Sequence, residues 1–328
     1  MLGPILFLLF VNDIELSLAH SNVRLFADDS RLSKALKTPE DVLLLQQDLN
    51  NVLNWAKQNN MSLNEDKFEL LQHHTSARNF AYLLALPFVI SENSYIANKT
   101  TIEPSEYVTD LGVIMQQDLS FKLHIADIVK RARNKLSWVL SVFKSRSEIV
   151  INTLFKSMVR PIVEYCCVVW NPTKVSEIAF IESIQRTATS KIAGISDMNY
   201  WERLKKLKLM SLERRREHYV LVYMHKILQH RVPNDIGIEF YENSRLGLKA
   251  RVPSLPPYRY QLSRYDGSFS VMGQSLWNVL PKYINCISNF NAFKQELDKF
   301  LLSYPDQPPV AGYSTRNNNS LRSWVNMH

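Results

Sequence analysis

The apolar residues of this 328-residue chain change period near Ser120, and that change bounds the fold. Ahead of Ser120, short apolar runs alternate with turn-forming clusters. Behind it, apolar residues recur at helical spacing over Lys122–Phe143, Ile149–Val159, Val175–Ile192, Asn199–Leu207 and Leu212–Gln229, with a last helix at Phe290–Leu302. The pattern predicts an α+β fold with a mixed front and a mainly helical rear. Such a length accommodates roughly two domains. Hydrophobic residues make up 46% and charged residues 21%, enough to bury a core and too apolar for a disordered chain. Prolines at 233, 253, 256 and 257 mark a looser stretch, and residues 303–328, rich in Pro, Gly, Ser and Asn, read as a disordered tail.

The front half can be read element by element. Pro4 to Leu16 reads as a buried helix. Val23-Arg24-Leu25-Phe26 is strand-like, Ala27-Asp28-Asp29-Ser30 is turn-prone, and Arg31-Leu32-Ser33 can return as the second strand of a hairpin. Thr38 is a good N-cap, Pro39 suits the first helical position, and Glu40 and Asp41 favour the positive helix end. Val42, Leu45, Leu49, Val52, Leu53 and Ala56 then share one helix face up to Asn59-Asn60. Phe68 to Leu71 reads as a strand, residues 76–100 as a weakly patterned strand pair, and Val108 to Met115, with Gly112 inside, as a further strand.

Charge separates the same halves. Residues 1–70 hold 6 Lys/Arg and 10 Asp/Glu, whereas residues 120–231 hold 21 and 9. The formal net charge of +8 therefore conceals an acidic front and a basic middle. A basic surface gathers polyanions by counterion release; the plain alternative is a set of solvated helix faces. Lys130, Arg131, Arg133 and Lys135 lie within less than two helical turns, and Lys205, Lys206, Lys208, Arg214, Arg215 and Arg216 form a second concentration. These ten are the candidate nucleic-acid contacts, expected to meet phosphates rather than bases.

Three cysteines, two of them the adjacent Cys166 and Cys167, build neither a disulfide framework nor a zinc site and suit an intracellular, reducing compartment. The apolar run Ile5 to Val11 has no Lys or Arg before it, unlike a signal peptide, and falls far short of the ~20 residues a membrane span needs. It is expected to be a buried element of a protein that is neither secreted nor membrane-bound.

Asp28 and Asp29 are the candidates for chemistry. Adjacent carboxylates at the tip of an apolar hairpin repel each other, and a divalent cation relieves that repulsion. Mg²⁺, or Mn²⁺ in its place, prefers oxygen ligands and commonly takes one or two carboxylates plus substrate phosphates. The plain alternative is an exposed Asp-Asp turn.

The surroundings of the pair resemble a known family. Phe26-Ala27-Asp28-Asp29 resembles the Tyr/Phe-Ala-Asp-Asp box of reverse transcriptases. Leu2-Gly3-Pro4-Ile5-Leu6-Phe7 with Asn12-Asp13-Ile14 resembles the helix that precedes that box. Trp55, Met61-Ser62-Leu63-Asn64 and Lys67 resemble the motif after it, and Leu111-Gly112-Val113 resembles the strand that grips the primer end, with Asp110 standing where Tyr or Phe is usual. Pro161-Ile162-Val163-Glu164-Tyr165-Cys166 with Val169-Trp170-Asn171-Pro172 is similar to a segment of non-LTR, LINE-type elements of the Jockey, chicken-repeat and L2 lineages. Ile184-Gln185-Arg186, Glu202-Arg203-Leu204 and Leu212-Glu213-Arg214-Arg215 look like the segments that follow, and Phe269-Ser270-Val271 with Leu276 to Pro281 looks like their C-terminal box. Trp277 in that box is read as part of a packed aromatic cluster without chemistry.

The resemblance implies a partial palm over 1–117, a basic thumb-like region over 118–231 and a C-terminal region over 232–302. It implies an RNA-directed DNA polymerase that joins nucleotides by a two-metal mechanism. Asp28 and Asp29 would hold Mg²⁺, Lys67 would act as general acid, and Leu111, Gly112 and Val113 would form the primer grip. The implied partners are an RNA template, a DNA primer or target and deoxynucleoside triphosphates, in the nucleus or cytoplasm. The family's third carboxylate, its Gln-Gly pair and its fingers precede the Leu-Gly-Pro helix, so these 328 residues are expected to be a fragment inactive alone. Rival readings are a nucleic-acid-binding remnant without chemistry, a metal-dependent phosphotransferase of another family, and an interaction protein built from a decayed reading frame.

Overall fold

The computed structural model describes residues 2–64, 67–73, 95–97, 100–252, 267–303 and 321. The chain divides into two compact units, Met1–Leu119 and Ser120–His328. Both mix helices with small strand pairs, as the α+β expectation requires.

Unit 1 begins with helix α1 (Gly3–Val11), a 3₁₀ turn (Asn12–Ser17) and the antiparallel hairpin β1 (Asn22–Phe26) and β2 (Asp29–Ser33). Helix α2 (Pro39–Gln58) starts where Thr38, Pro39 and Asp41 predict: the Asp41 carboxylate accepts from the amides of Lys37 at 2.8 Å and Thr38 at 2.9 Å. Its apolar face meets two clusters. Val52, Trp55 and Ala56 pack with Val11, Ile14, Leu25 and Leu32, and Leu49 packs with Ile102, Phe68 and Leu70. The remaining strands are short pairs: β3 (Leu70–Leu71) runs parallel to β6 (Pro104–Ser105), and β4 (Tyr95–Ala97) pairs with β5 (Thr100–Ile102). Of the strand pair expected in 76–100, residues up to 94 lie outside the described residues.

Two expectations need correction here. Val108 to Met115 is not one strand but a hairpin, β7 (Tyr107–Asp110) and β8 (Val113–Gln116), because Leu111 and Gly112 both take positive φ, +46° and +78°, and reverse the chain. Gly112 adopts that backbone without cost, and two positive φ values define the type I′ turn favoured in two-residue hairpins. The first helix is not buried: Leu2, Ile5, Leu6, Leu8 and Leu9 are 51–69% exposed. A helix apolar on every side needs cover on every side, and unit 1 covers only the side of Phe7 and Val11.

In unit 2, α3 (Lys122–Val142), α7 (Val175–Ser190), α8 (Tyr200–Leu207) and α9 (Leu212–Leu228) fall where the periodicity places them. The expected helix Ile149–Val159 appears as α4 (Glu148–Leu154) continued by a π turn (Phe155–Val159) into α5 (Arg160–Glu164), followed by α6 (Cys167–Trp170). Helix α9 is the centre of this unit. Its Val220, Leu221, Met224 and Ile227 pack with Trp277, Ile284, Phe293 and Leu297. These come from α10 (Phe269–Val279), α11 (Lys282–Asn285) and α12 (Phe290–Ser303), with Ala250 added from the hairpin β9 (Glu239–Asn243) and β10 (Gly247–Arg251). Trp277 is fully buried, with its ring against Phe240 and Phe293 and its Nε1 donating to Leu248 O at 3.1 Å. Beside it, the Asn278 amide stands in for a strand partner: Ala250 N donates to Oδ1 at 2.8 Å and Nδ2 donates to Ala250 O at 2.9 Å. The C-terminal box is therefore a device for holding β10 to a helix. Leu321 is the one described residue beyond Ser303, and it is buried in this core; the rest of the expected tail lies outside the described residues.

The N-terminus of α9 shows how the core tolerates charge. Helix starts leave amides without intrahelical partners. Ser211 Oγ accepts from Arg214 N at 3.0 Å, and Glu182 of α7, 1% exposed, accepts from Leu212 N at 3.0 Å, from Glu213 N at 3.4 Å and from the Tyr200 hydroxyl. Glu182→Ala should destabilise the chain by about 3 kcal/mol, because it leaves buried donors unmatched. Glu182→Gln, which keeps an acceptor, should cost less; equal losses in chemical denaturation would contradict this capping role.

Candidate functional site

The acidic pair sits on a tight hairpin. Residues 22–26 alternate with Val23 buried and Arg24 exposed, so one face packs on α2 and the other meets water. Phe26 pairs with Asp29, which leaves Ala27 and Asp28 as the two turn residues. Ala27 has φ +52°, a backbone value that a two-residue hairpin turn requires of one or both of its residues. Asp28 and Asp29 are both exposed at this tip.

The base of the hairpin is pinned. Asp48 of α2, fully buried, accepts from Ala19 N at 3.0 Å, His20 N at 2.8 Å and Ser21 Oγ at 2.7 Å, just ahead of β1. Burial pushes the Asp48 carboxyl up, but the donors Ala19, Ser21 and His20 outweigh it and hold the group below the usual carboxylate range. On the outgoing side, Lys34 donates to His20 O at 3.0 Å and pairs with Asp41 at 3.2 Å. From that base the strand carries the turn about 16 Å outward, at ~3.3 Å per residue.

A second turn is tied to the first. Arg31 Nη1 on β2 pairs with Asp110 Oδ2 at 3.0 Å, at the end of β7. Asp110, which the resemblance places where an aromatic residue is usual, links the Leu111-Gly112 turn to the acidic hairpin. The pair is exposed, 52% and 33%, so it contributes at most about 1 kcal/mol and serves more to orient than to stabilise. Val113 is buried, while Leu111 is 42% exposed. Lys67 is exposed ahead of β3, and among the described residues no hydrogen bond or ion pair joins its amine to Asp28 or Asp29. Two adjacent carboxylates fit one side of a hard-cation site whose other ligands are water and phosphate. Among the described residues, no group of three or more His, Cys, Asp or Glu could hold a metal ion.

In unit 2 the basic residues separate by burial. Lys130, Arg131 and Arg133 are exposed on α3, with Arg133 donating to Ser183 Oγ at 3.1 Å and lying over the Phe180 ring. Lys205, Lys206 and Lys208 are exposed at the end of α8. The arginine run departs from expectation: Arg214 and Arg216 are 0% and 1% exposed and cannot reach a phosphate. Arg216 Nε donates to Asn171 Oδ1 at 2.9 Å, and Arg214 lies 3.7 Å from Glu217. Arg215 is committed to Glu164 through both Nε and Nη2, with Tyr219 donating to the same carboxylate at 3.0 Å. The reason is position, since α9 is enclosed on nearly all sides.

The sequence reading did not single out Asp48, Glu182 or the Arg31–Asp110 pair. Asp48 was detectable: it lies on the stripe of Leu45, Leu49, Val52 and Ala56, where a carboxylate has to find donors.

Against known proteins, the chain is 27% identical over 215 residues to the probable RNA-directed DNA polymerase from transposon X-element of Drosophila melanogaster, covering 59% of this chain and 21% of that protein. It is 23% identical over 189 residues to uncharacterized protein B0403.1 of Caenorhabditis elegans, covering 56% of this chain and 88% of that protein. The chain thus matches only about a fifth of the length of the polymerase. No family model and no solved structure matches. The first similarity supports a reverse-transcriptase-like relation.

Asp41, held down to about 2 by the Lys37 and Thr38 amides, and Asp48, also lowered, stabilise unit 1 fully above the unfolded value of 3.8. That contribution is lost as pH falls through the folded values, so the protection of amides 19–26 of the full chain against exchange, measured relative to their intrinsic rates, should fall from about pH 4 towards 2. Asp48→Asn should speed that exchange already at neutral pH and flatten its pH dependence; unchanged exchange would contradict the anchoring role.

Proposed function

We propose that this chain is part of the reverse transcriptase of a non-LTR, LINE-type retrotransposon: the rear of its palm, its basic thumb-like region and its C-terminal region. The observation that carries the reading is the hairpin that holds Asp28 and Asp29 out at a turn on a base pinned by Asp48. The likeness to a transposon polymerase and the family motifs around the pair support it.

In this reading Asp28 is the principal Mg²⁺ ligand and Asp29 the second, with Mn²⁺ an acceptable substitute. The metal, when bound, supplies charge neutralisation for the phosphates of the incoming nucleotide. The protein's part is positional. The Leu111–Val113 hairpin holds the primer end, oriented towards the acidic turn by Arg31 and Asp110. Lys67 protonates the leaving pyrophosphate. The substrates are an RNA template, a DNA primer or target and deoxynucleoside triphosphates, met in the nucleus or cytoplasm. Among the described residues no helix is long and apolar enough to cross a membrane.

Two carboxylates hold a cation from one side only. Phosphoryl transfer depends on positioning, so the 328 residues alone should not extend a primer. Completed with the upstream polymerase sequence of a relative, the chain should extend a primer annealed to RNA, and Asp28→Ala with Asp29→Ala should abolish this. Lys67→Ala should slow incorporation and leave primer binding intact. Extension by the isolated chain would refute its inactivity, and extension unaffected by the double substitution would refute the site.

The second reading, a nucleic-acid-binding remnant without chemistry, is favoured by the exposed cations of α3 and α8. Both readings require binding through phosphates. Affinity for duplex DNA should fall with salt at a log–log slope of about −0.9 per phosphate neutralised. A flat salt response would remove the binding claim from both.

A further inference from the structure

Helix α3 buries Ile125, Ile128, Val129, Ala132, Leu136 and Val139 on one side. Arg131, Lys135, Trp138 and Val142 form a different stripe, at i, i+4, i+7 and i+11, along one flank. The stripe ends in uncovered apolar surface: Trp138 is 47% exposed, Val142 51% and the following Phe143 37%. The two aromatic rings are not loose. They meet edge to face, 6.5 Å apart and at 81°. Arg146 fixes the end of the helix by donating to Leu140 O at 2.8 Å and to Phe143 O at 2.5 Å. Lys135 places its ammonium 5.1 Å from the Trp138 ring centroid, against one face of the indole.

An indole of this kind, half in water and braced by a neighbouring ring, is a surface waiting for a flat apolar ligand. The charges around it select among partners. Arg131, Lys135 and Lys144 stand along the stripe and its end, against Asp127, which pairs with Arg131 at 2.7 Å, and Glu148 at the start of α4. Lys130 and Arg133, exposed on the same helix, add to the cationic excess. Apolar rings among cations match a ligand that is itself planar, apolar in its faces and anionic in its backbone. A single-stranded nucleic acid has that composition. Duplex bases are stacked on one another and offer no free face to a side chain on a convex helix.

We propose that this flank of α3 is a stacking platform for single-stranded nucleic acid, with a base lying on the exposed part of the Trp138 ring, Phe143 bracing it, and Arg131 and Lys135 meeting the adjacent phosphates. Arg131 and Trp138 are about 10 Å apart along the axis, at 1.5 Å per residue, a separation that one or two nucleotides span. Because every base has a π-face, the platform takes any sequence. The inference rests on the reading that this chain binds nucleic acid and adds a base contact to the phosphate contacts expected from charge alone.

The test uses the full chain and matched short oligonucleotides, single-stranded and duplex, with binding followed by fluorescence anisotropy at several salt concentrations. Trp138→Ala should weaken single-strand binding roughly tenfold, leave duplex binding unchanged and leave the salt slope unchanged, since stacking releases no counterions. Trp138→Phe should recover most of the loss. Melting temperature and helicity serve as controls, and Trp138 is exposed enough that both should hold. If the wild-type chain binds single strands and Trp138→Ala binds them equally well, the platform is refuted while the nucleic-acid reading stands. No binding by the wild-type chain overturns both. A fall in sedimentation coefficient in Trp138→Ala with unchanged binding would assign the patch to self-association instead.

Discussion

A carboxylate cannot leave water unless donors replace the water it loses, and each unit of this chain is arranged around one that has. In unit 1 it is Asp48, satisfied by the amides and hydroxyl of residues 19–21. In unit 2 it is Glu182, satisfied by the first amides of α9 and by Tyr200. Glu217 repeats the device one step further, accepting from Leu321 N at 2.9 and 3.0 Å. A buried acceptor without its donors is expensive, so each arrangement fixes one geometry and disfavours near alternatives. Asp48 sets where the acidic hairpin leaves α2, Glu182 sets where the central helix starts, and Glu217 seats a residue 104 positions along the chain.

Both turns of the candidate site depart from ordinary backbone. Ala27 at φ +52° and Leu111 at φ +46° are not residues that choose the left-handed region. Each such position costs about 1–2 kcal/mol and persists because the flanking strands dictate it. The reward is a two-residue connection that leaves Asp28 and Asp29 at a tip. Asp110 belongs to the same arrangement. Its ion pair with Arg31 relates two short hairpins that share no strand pairing.

The basic character of unit 2 divides into two kinds of charge. Arg203, Arg214 and Arg216 are interior groups; Arg203 donates to Met198 O at 2.7 Å and to Thr189 Oγ1 at 3.2 Å. Lys205, Lys206 and Lys208 remain in water. The Arg203 guanidinium suits the interior because its planar fork meets several acceptors at once and is weakly hydrated. Net charge therefore overstates the surface available to a polyanion, and the usable part concentrates on α3 and the end of α8.

What the sequence determined by itself was whatever depends on near neighbours. Thr38, Pro39 and Asp41 start α2, the period of α3 and α9 places their ends within a residue or two, and Phe26 to Ser30 turns a hairpin, because capping, helical period and turn formation act over five residues or fewer. The pair Asp28-Asp29 was legible for the same reason. Tertiary structure alone decided which of several similar residues meet water. Arg214 and Lys205 look alike in sequence, yet one is enclosed and the other exposed, because α9 is surrounded by helices drawn from across unit 2. The apolar run of α1 shows the converse, since it stays exposed where unit 1 offers it only one covering side. Burial is a property of what arrives from elsewhere in the chain, and local pattern can state a need for cover without supplying it.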